Sequence, residues 1–324
     1  WPELQNYSTP LLESAVDHTP GLHRFCFGQH VTLDLYLGDA LAGIGESFAS
    51  EIANVDCWFM DGFAPARNPE LWSDSLAGMM YRRSKPTATV STYSVAGQVR
   101  RSLQRAGFEI ERLPGYGNKR EMLRGHKLQD NKKHPIDPLP QTYHRPAWYK
   151  VTARPPEHRH AIIVGAGLAG CATAFSLTQR GWQVTLIDSG PNIAGGASGN
   201  RQGVLQPRLA AEHSTRAQFY IHALLFAHRQ FSQLQQDKDI GWHPDGIIRL
   251  PDASRSGPLR LLNNPERFYS PKVLSALTTQ QASDMAGLPL NGDALFMPYG
   301  GWIRPTELCK AYLAPVSVQR AQLI

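Results

Sequence analysis

The chain has 324 residues, a length that predicts about two domains, each large enough to bury its own hydrophobic core. Apolar residues make up 42% of it and charged residues 19%, and no run of ~18 apolar residues is present. This composition excludes a mainly disordered chain and a membrane-spanning one. The formal net charge at pH 7 is +6.

The positive charge is distributed unevenly along the chain. Residues 1–81 carry a net charge of −9, residues 82–127 carry +8 and residues 128–160 carry +3. A basic stretch is often only a solvated surface or linker, and the same pattern is also typical of a surface that binds the phosphates of a nucleic acid. Composition leaves both interpretations open.

The cysteines indicate a reducing compartment. They lie far apart and form no CxxC pair, which argues against a disulfide framework and against a zinc site. We therefore predict a cytoplasmic protein with no metal site. The chain begins with Trp1 and lacks a signal-peptide pattern, so we expect that it starts within a longer sequence.

The first half of the chain alternates between strand and helix patterns. Residues 31–37 and 55–60 read as strands, and Asn68-Pro69 reads as the start of a helix that continues to about Met80. Further elements are a strand at 87–93, a helix from about Ser94 to Gly107, and a strand pair at 108–113 and 119–124. This order predicts the C-terminal half of an α/β sheet that ends in an antiparallel hairpin.

Residues 127–158 are rich in proline, lysine and histidine and read as an exposed linker. A new βαβ unit starts at Ala161 with a short apolar strand. The strand leads into a GxGxxG motif formed by Gly165, Ala166, Gly167, Leu168, Ala169 and Gly170. A second strand at 184–187 ends in Asp188, so the fingerprint of a dinucleotide site is complete. Its glycines permit a tight turn, the helix N-terminus faces the pyrophosphate, and the acid accepts ribose hydroxyls. The simpler alternative is a glycine turn that only packs a helix on a strand.

A second glycine-rich loop, residues 195–203, follows the acid at once. In flavin oxidoreductases a loop at this place lies along the pyrophosphate and ribityl chain, whereas an NAD domain proceeds to its next helix. FAD is therefore favoured over NAD. The predicted cofactor-binding residues of this loop are Ala197, Ser198, Asn200, Arg201, Gln202 and Gly203.

Three motifs together resemble the family of bifunctional tRNA 5-methylaminomethyl-2-thiouridine biosynthesis proteins. They are the segment 58–72 (WFMDGFAPARNPELW), the segment 117–122 (GNKREM), and the pair of glycine-rich loops at 165–170 and 197–203. The resemblance implies a Rossmann-like methyltransferase domain at 1–126 that uses S-adenosylmethionine, a linker at 127–158, and a glycine-oxidase-like FAD domain at 159–324. It implies that the flavin domain removes the carboxymethyl group from a wobble uridine of tRNA, and that the methyltransferase then methylates the amine.

The resemblance also implies roles for residues of the first domain. Asp61 would accept the proton of the amine as it attacks the methyl group, and Phe63 would pack on the target base. The simpler interpretation of Asp61 is a turn residue before Gly62. Asp39 would contact the adenosine of S-adenosylmethionine, or would only end a strand. In the basic stretch, the predicted tRNA-binding residues are Arg100, Arg101, Lys119 and Arg120.

The sequence departs from the family at both ends. The glycine-rich loop and the acid that open a methyltransferase do not occur, so we expect residues 1–126 alone to bind S-adenosylmethionine poorly. The flavin domain is expected to continue beyond Ile324, and both domains are therefore expected to be incomplete. Arg249 or Arg304 could hold a substrate carboxylate. Two alternatives remain: a free amino-acid or amine oxidase with a vestigial N-terminal domain, and an inactive tRNA-binding fragment.

Overall fold

The structure is a computed structural model that describes residues 2–13, 18–27, 31–47, 55–128, 158–212, 214–252, 254, 256–314 and 318–322. Its strands are β1 Gly21–Phe27, β2 Val31–Leu37, β3 Val55–Phe59, β4 Ser84–Thr92, β5 Phe108–Pro114, β6 Glu121–Lys127, β7 His160–Val164, β8 Gln183–Asp188, β9 Gly203–Leu205, β10 Ile247–Arg249, β11 Ser275–Leu277, β12 Ala294–Met297, β13 Gly301–Ile303 and β14 Val318–Gln322. Its helices are α1 Gln5–Glu13, α2 Ala40–Ser47, α3 Asp74–Arg83, α4 Gly97–Ala106, α5 Leu168–Thr178, α6 Thr215–Asp237, α7 Ser256–Asn263, α8 Thr279–Ala286 and α9 Pro305–Leu313. In the described part of the chain, every helix is too short or too polar to cross a membrane.

The chain forms two compact units. Unit 1 contains residues 1–37 and 156–324, and unit 2 contains residues 38–155. Each unit has its own cluster of buried side chains. The linker predicted at 127–158 is described only at its two ends: Lys127 ends β6, Leu128 follows it, and His158 lies just before β7.

Unit 2 contains a four-stranded sheet in the order β3-β4-β6-β5. β3 and β4 run parallel, with Phe59 opposite Ser91, and β6 runs antiparallel to both β4 and β5. The carboxyl ends of β3, β4 and β5 and the start of β6 therefore lie at one edge of the sheet, which we call the carboxyl edge. The predicted half of an α/β sheet with a final antiparallel hairpin is confirmed.

The helices of unit 2 cover the sheet with the faces that the sequence predicts. On α4, Val99 and Leu103 are 1% and 2% exposed, and Gly107 ends the helix in the left-handed conformation with φ 109°. Burial of a side chain such as Leu103 contributes roughly 1.5–3 kcal/mol. The helix expected from Asn68 to Met80 is interrupted, because Ser73 is extended and its hydroxyl accepts the N–H of Leu76, so that α3 begins only at Asp74.

Unit 1 is built around the predicted βαβ unit. β7, β8 and β14 form a parallel sheet in the order β14-β8-β7. The core beneath α5 includes Cys171, Ala174, Val184 and Leu186, all at most 3% exposed. The small residues on α5 let it approach α9, whose Leu308 and Cys309 lie in the same cluster. Unit 1 also contains the sheets β13-β9, β10-β12-β11 and β1-β2.

The strand predicted at 31–37 forms as β2, but its partner differs from the expectation. β2 pairs with β1 in an antiparallel hairpin, where Arg24 stands opposite Asp34 and binds its carboxylate with two bonds of 2.7 Å. It is not part of the sheet that holds β3. The alternating pattern of these residues specifies a strand and two faces, whereas the choice of partner strand depends on residues far away in the sequence.

Candidate functional site

The GxGxxG segment has the backbone geometry that its glycines predict. Gly165 has φ 100°, and its N–H donates to the carbonyl of Ile187 at 2.7 Å. A Cβ on Gly170 would lie 1.8 Å from the carbonyl oxygen of Gly165, so only glycine fits there. The turn from β7 into α5 is therefore as tight as a dinucleotide-binding loop requires.

The N-terminus of α5 is where the two glycine-rich segments meet. Gly167 is the N-cap residue and has an extended backbone, and the N–H of Leu168 donates to the hydroxyl of Ser198 at 3.0 Å. The first N–H groups of a helix have no partner within the helix and favour an anion. Ser198, predicted from the second loop, thus lies directly at the predicted pyrophosphate position.

Asp188 lies at the end of β8, and both of its carboxylate oxygens accept backbone hydrogen bonds. Oδ2 accepts from Ala166 at 2.6 Å, and Oδ1 accepts from Gly190 at 2.8 Å. These two bonds lower the pKa of Asp188, so the carboxylate is ionised at neutral pH. An ionised carboxylate has about four acceptor positions, so ribose hydroxyls can still bind to it.

The loop after Asp188 is shaped by a residue that the sequence did not indicate. Ala194 has φ 57° and is 4% exposed, and its N–H donates to the carbonyl of Ala166 at 2.9 Å. Residues 197–199 then form a short 3₁₀ turn, and Asn200, Arg201 and Gln202 are exposed. Alanine seldom has a positive φ, so no local signal identified Ala194.

These residues fit an FAD molecule. The carbonyl oxygen of Gly165 leaves no room for a side chain at Gly170, and the φ of 100° disfavours one at Gly165. A Cβ on Gly165 or on Gly196 would meet open space, so a ligand can approach the backbone closely at both glycines. The α5 N-terminus offers backbone donors and Asp188 offers acceptors. Gly203, the last predicted contact, begins β9 opposite Ile303, which fixes where the loop ends. When bound, FAD supplies two-electron oxidation chemistry.

The carboxyl edge of unit 2 holds the predicted methyltransferase residues. Asp61 and Phe63 follow β3, and both are exposed, with Phe63 at 71%. The carbonyl of Phe63 accepts a 2.9 Å hydrogen bond from the indole of Trp72, which is itself buried. The backbone is thus fixed while the ring faces solvent, an arrangement that suits contact with a flat ligand.

The predicted basic residues lie at the same edge. Lys119 and Arg120 lie in the turn between β5 and β6, and Arg100 and Arg101 lie near the start of α4, just after β4. A Cβ on Gly97 would lie 3.0 Å from Nη1 of Arg101, so this guanidinium folds back toward the helix N-terminus. Four other cations of the stretch are paired with carboxylates: Lys85 with Asp56, Arg105 with Asp74, Arg112 with Glu121, and Arg124 with Glu111. The ammonium group of Lys127 instead donates to the backbone carbonyls of Tyr81 and Ser84. Within the described residues, Arg100, Arg101, Lys119 and Arg120 have no carboxylate partner.

Asp39 and Arg304 have structural partners. Asp39 lies between β2 and α2, where its Oδ1 accepts the N–H of Ala42 at 2.8 Å. It therefore caps the N-terminus of α2, a structural role that fits the simpler interpretation of a residue that ends a strand. Its contact with S-adenosylmethionine stays a prediction. Arg304 binds Asp239 at 2.5 Å, which lowers the pKa of Asp239 to about 2. The guanidinium of Arg304 is therefore engaged with Asp239 through Nη2, and the binding of a substrate carboxylate by Arg304 or Arg249 stays a prediction.

Comparisons with known proteins match both parts of the chain. Residues 2–128 match a family described as S-adenosyl-L-methionine-dependent methyltransferase, and residues 160–324 match one described as FAD dependent oxidoreductase. A "tRNA 5-methylaminomethyl-2-thiouridine biosynthesis bifunctional protein MnmC" of Stutzerimonas stutzeri is 39% identical over 96% of this chain and 44% of its own length. The protein of the same name from Pseudomonas paraeruginosa is 41% identical over 96% and 45%.

The resemblance drawn from the three motifs is confirmed by these relatives, and the chain spans less than half of their length. Among solved structures, glycine oxidase from Bacillus cereus is 20% identical, with a TM-score of 0.41 over 51% of this chain and 46% of that one. The oxidoreductase match covers half of the chain and includes the loops at 165–170 and 197–203. The chain belongs, through residues 160–324, to the FAD dependent oxidoreductase family.

Proposed function

We propose that this protein takes part in modifying the wobble uridine of tRNA in the cytoplasm. The substrate is a uridine with a 5-carboxymethylaminomethyl group. The reaction is FAD-dependent loss of the carboxymethyl group, followed by N-methylation with S-adenosylmethionine. Two relatives named for tRNA 5-methylaminomethyl-2-thiouridine biosynthesis support this proposal through about 40% identity along 96% of the chain.

One structural observation carries the tRNA part of the proposal. Arg100, Arg101, Lys119 and Arg120 share the carboxyl edge with Asp61 and Phe63, and none of the four is neutralised by a carboxylate of the described residues. A free amino acid needs no such surface, whereas RNA phosphates bind unneutralised cations. The alternative of a free amine oxidase leaves this cluster without a role.

The oxidative step belongs to unit 1. With bound FAD as the hydride acceptor, the carboxymethyl carbon next to the amine nitrogen would lose a hydride and the nitrogen a proton. The imine that forms would take up water, the carboxymethyl group would leave as an aldehyde acid, and the primary amine would remain on the uridine. The residues of the chain bind and orient the cofactor: the loop at 165–170 and the α5 N-terminus hold the pyrophosphate, and the Asp188 carboxylate accepts the ribose hydroxyls.

The methylation step belongs to unit 2. The primary amine attacks the methyl carbon of S-adenosylmethionine, a C–N bond forms, the C–S bond breaks, and the amine loses a proton. The exposed carboxylate of Asp61 accepts that proton, and Phe63 packs on the uracil ring. Positioned proton transfer of this type contributes typically ~10²- to 10⁴-fold to a rate.

The direct test is incubation of the chain with an anticodon stem-loop that carries the 5-carboxymethylaminomethyl uridine, followed by mass spectrometry of the nucleosides. With FAD, we expect the aminomethyl nucleoside. With S-adenosylmethionine added as well, we expect the methylaminomethyl nucleoside. Binding of S-adenosylmethionine to the same preparation is measured in parallel. Asp61→Asn is expected to reduce the methylation ~10²-fold or more and to leave the oxidation unchanged.

Two experimental results would contradict this proposal and favour one of the alternatives. Oxidation of glycine or sarcosine together with an unchanged stem-loop would favour the free amine oxidase. Retention of the stem-loop by a preparation without flavin absorbance and without turnover would favour the inactive tRNA-binding fragment.

The charge cluster is tested separately by salt titration of stem-loop binding. Changing Arg100, Arg101, Lys119 and Arg120 together to Gln is expected to reduce the slope of log K against log salt by about 3, since each phosphate contact in a single strand contributes ~0.7. The control changes Lys85, Arg105, Arg112 and Arg124 to Gln and alters the net charge equally. Equal effects of the two sets would show that the cluster has no special role.

A further inference from the structure

The turn between β5 and β6 is a rigid projection of unit 2. The N–H of Gly115 donates to the carbonyl of Arg120 at 3.1 Å, and the N–H of Lys119 donates to that of Tyr116 at 3.2 Å. Gly117 has φ 61° at the first central position, as type II′ hairpin turns require. A Cβ on Gly115 would lie 2.2 Å from the carbonyl oxygen of Lys119. Backbone hydrogen bonds and glycine geometry therefore hold this turn in one conformation.

The side chains of the turn do not pack against the rest of unit 2. Tyr116 is 82% exposed, and residues 117–120 are exposed as well. By contrast, Tyr81 of the same unit is buried, packs edge-on against Phe108 at 5.2 Å, and lies beneath the ammonium group of Lys127. The Tyr116 ring thus contributes little to the stability of the fold.

The arginines along the strands of this hairpin are paired with carboxylates, and Lys127 at the far end of β6 donates to the backbone carbonyls of Tyr81 and Ser84. Along the strands, Arg112 pairs with Glu121, Arg124 pairs with Glu111, and His126 lies 3.2 Å from Glu109. At the tip, Lys119 and Arg120 have no carboxylate partner within the described part of the chain. The tip therefore combines an exposed aromatic ring with two uncompensated cations.

The register of the sheet places this tip at the carboxyl edge. Thr92 of β4 stands opposite Leu123 of β6, so the start of β6 lies beside the end of β4. β3, which leads to Asp61, is two strands from β6 and three from β5. Strands are ~4.8 Å apart, which gives a separation of roughly 10–14 Å along the edge. The unpaired nucleotides of one open loop together span such a distance.

We propose that Tyr116 stacks on an unpaired base that flanks the target uridine, while Lys119 and Arg120 bind the adjacent phosphates. The proposal rests on the proposed tRNA function and extends it to the recognition of the anticodon loop. Aromatic rings beside cations are the usual means of holding single-stranded RNA, because every base has a face to stack. A hydrophobic protein partner or a membrane would need a larger apolar area than Tyr116 offers between Gly115 and Gly117.

Tyr116 is tested with an anticodon stem-loop that carries 2-aminopurine next to the wobble position, since the fluorescence of this base is quenched when it stacks. Tyr116→Leu is expected to weaken binding about 5- to 150-fold and to abolish the quenching, whereas Tyr116→Phe retains both. The control is Phe219→Leu, which removes another exposed ring, on α6 of unit 1, and is expected to change neither. Melting temperatures confirm that the variants fold.

Salt titration separates stacking from charge. Tyr116→Leu is expected to leave the slope of log K against log salt unchanged, while Lys119→Gln and Arg120→Gln each reduce it by about 0.7. If Tyr116→Leu binds and quenches like the unchanged protein, the role of Tyr116 is disproved and the tRNA function stands. If the unchanged protein does not bind the stem-loop, both proposals fail.

Discussion

Single glycines decide whether the cofactor loop of unit 1 can form. Gly165 needs its left-handed φ of 100°, and Gly170 needs the absence of a Cβ because the carbonyl oxygen of Gly165 occupies that space. In contrast, Gly196 in the second loop faces open space and has a negative φ. The two loops therefore tolerate a methyl group very differently.

We expect Gly170→Ala to abolish FAD binding, since the added Cβ would force the start of α5 away from β7. Gly196→Ala serves as the matched control and is expected to fold and to bind FAD at most modestly more weakly. Flavin absorbance after gel filtration and a titration of flavin fluorescence measure both. Normal FAD binding by Gly170→Ala would contradict a role for the close approach of residue 170 to the carbonyl oxygen of Gly165.

The elements of unit 1 are joined by a small number of specific polar contacts. Asp239 lies in the loop after α6, and Arg304 is the N-cap residue of α9. Their ion pair closes over Gly241, where φ is 62° and a Cβ would lie within 2.2 Å of Nε of Arg304. The contact fixes where α9 begins relative to α6 and thereby supports the core that α9 shares with α5.

This ion pair predicts a pH dependence of stability. The pKa of Asp239 is about 2 in the folded protein, below its ordinary value near 3.9, because Arg304 stabilises the carboxylate. The stabilisation is therefore complete above pH ~4–5 and is lost as the pH falls toward 2. Asp239→Asn is expected to lower the melting temperature of unit 1 at pH 7 and to have a smaller effect as the pH approaches 2.

The measurement is a series of melting curves between pH 7 and the lowest pH at which the protein stays folded. Asp56→Asn, which removes the partner of Lys85 in unit 2, is a control for the loss of an exposed ion pair. A difference between Asp239→Asn and the unchanged protein that grows on acidification would contradict the prediction.

At the scale of the whole molecule, the two units have separate cores. The cluster around Met80, Leu103 and Leu123 belongs to unit 2, and the one around Cys171, Leu186 and Leu308 belongs to unit 1. The proposed FAD residues all lie in unit 1. A ligand stabilises only the part of a protein whose folding creates its site.

We therefore expect FAD to raise the temperature of the unfolding transition of unit 1 and not that of unit 2. At 100 times its Kd, FAD should add about 2.7 kcal/mol to the stability of unit 1 and leave that of unit 2 unchanged. Scanning calorimetry with and without FAD measures both transitions. Equal shifts of both transitions would show that the units unfold together.

The sequence by itself determined the features that are encoded locally. Strands at 31–37 and 108–113, the end of α4 at Gly107 and the loop at 165–170 follow from alternation, glycine placement and spacing, which neighbouring residues alone specify. The sequence alone also identified residues 165–170 as a cofactor-binding loop, because tight turns and close backbone approaches require glycine.

Only the tertiary structure decided which partners these segments have. β2 pairs with β1, Arg304 binds Asp239 across 65 positions, and Ser198 reaches the α5 N-terminus from the second loop. The tertiary structure also shows that Lys119 and Arg120 lack a carboxylate partner among the described residues, whereas the neighbouring Arg112 and Arg124 are paired. The pairing of strands and of charges depends on which residues, far apart in the sequence, the fold brings within a few ångströms of each other. Local sequence patterns do not specify these partners.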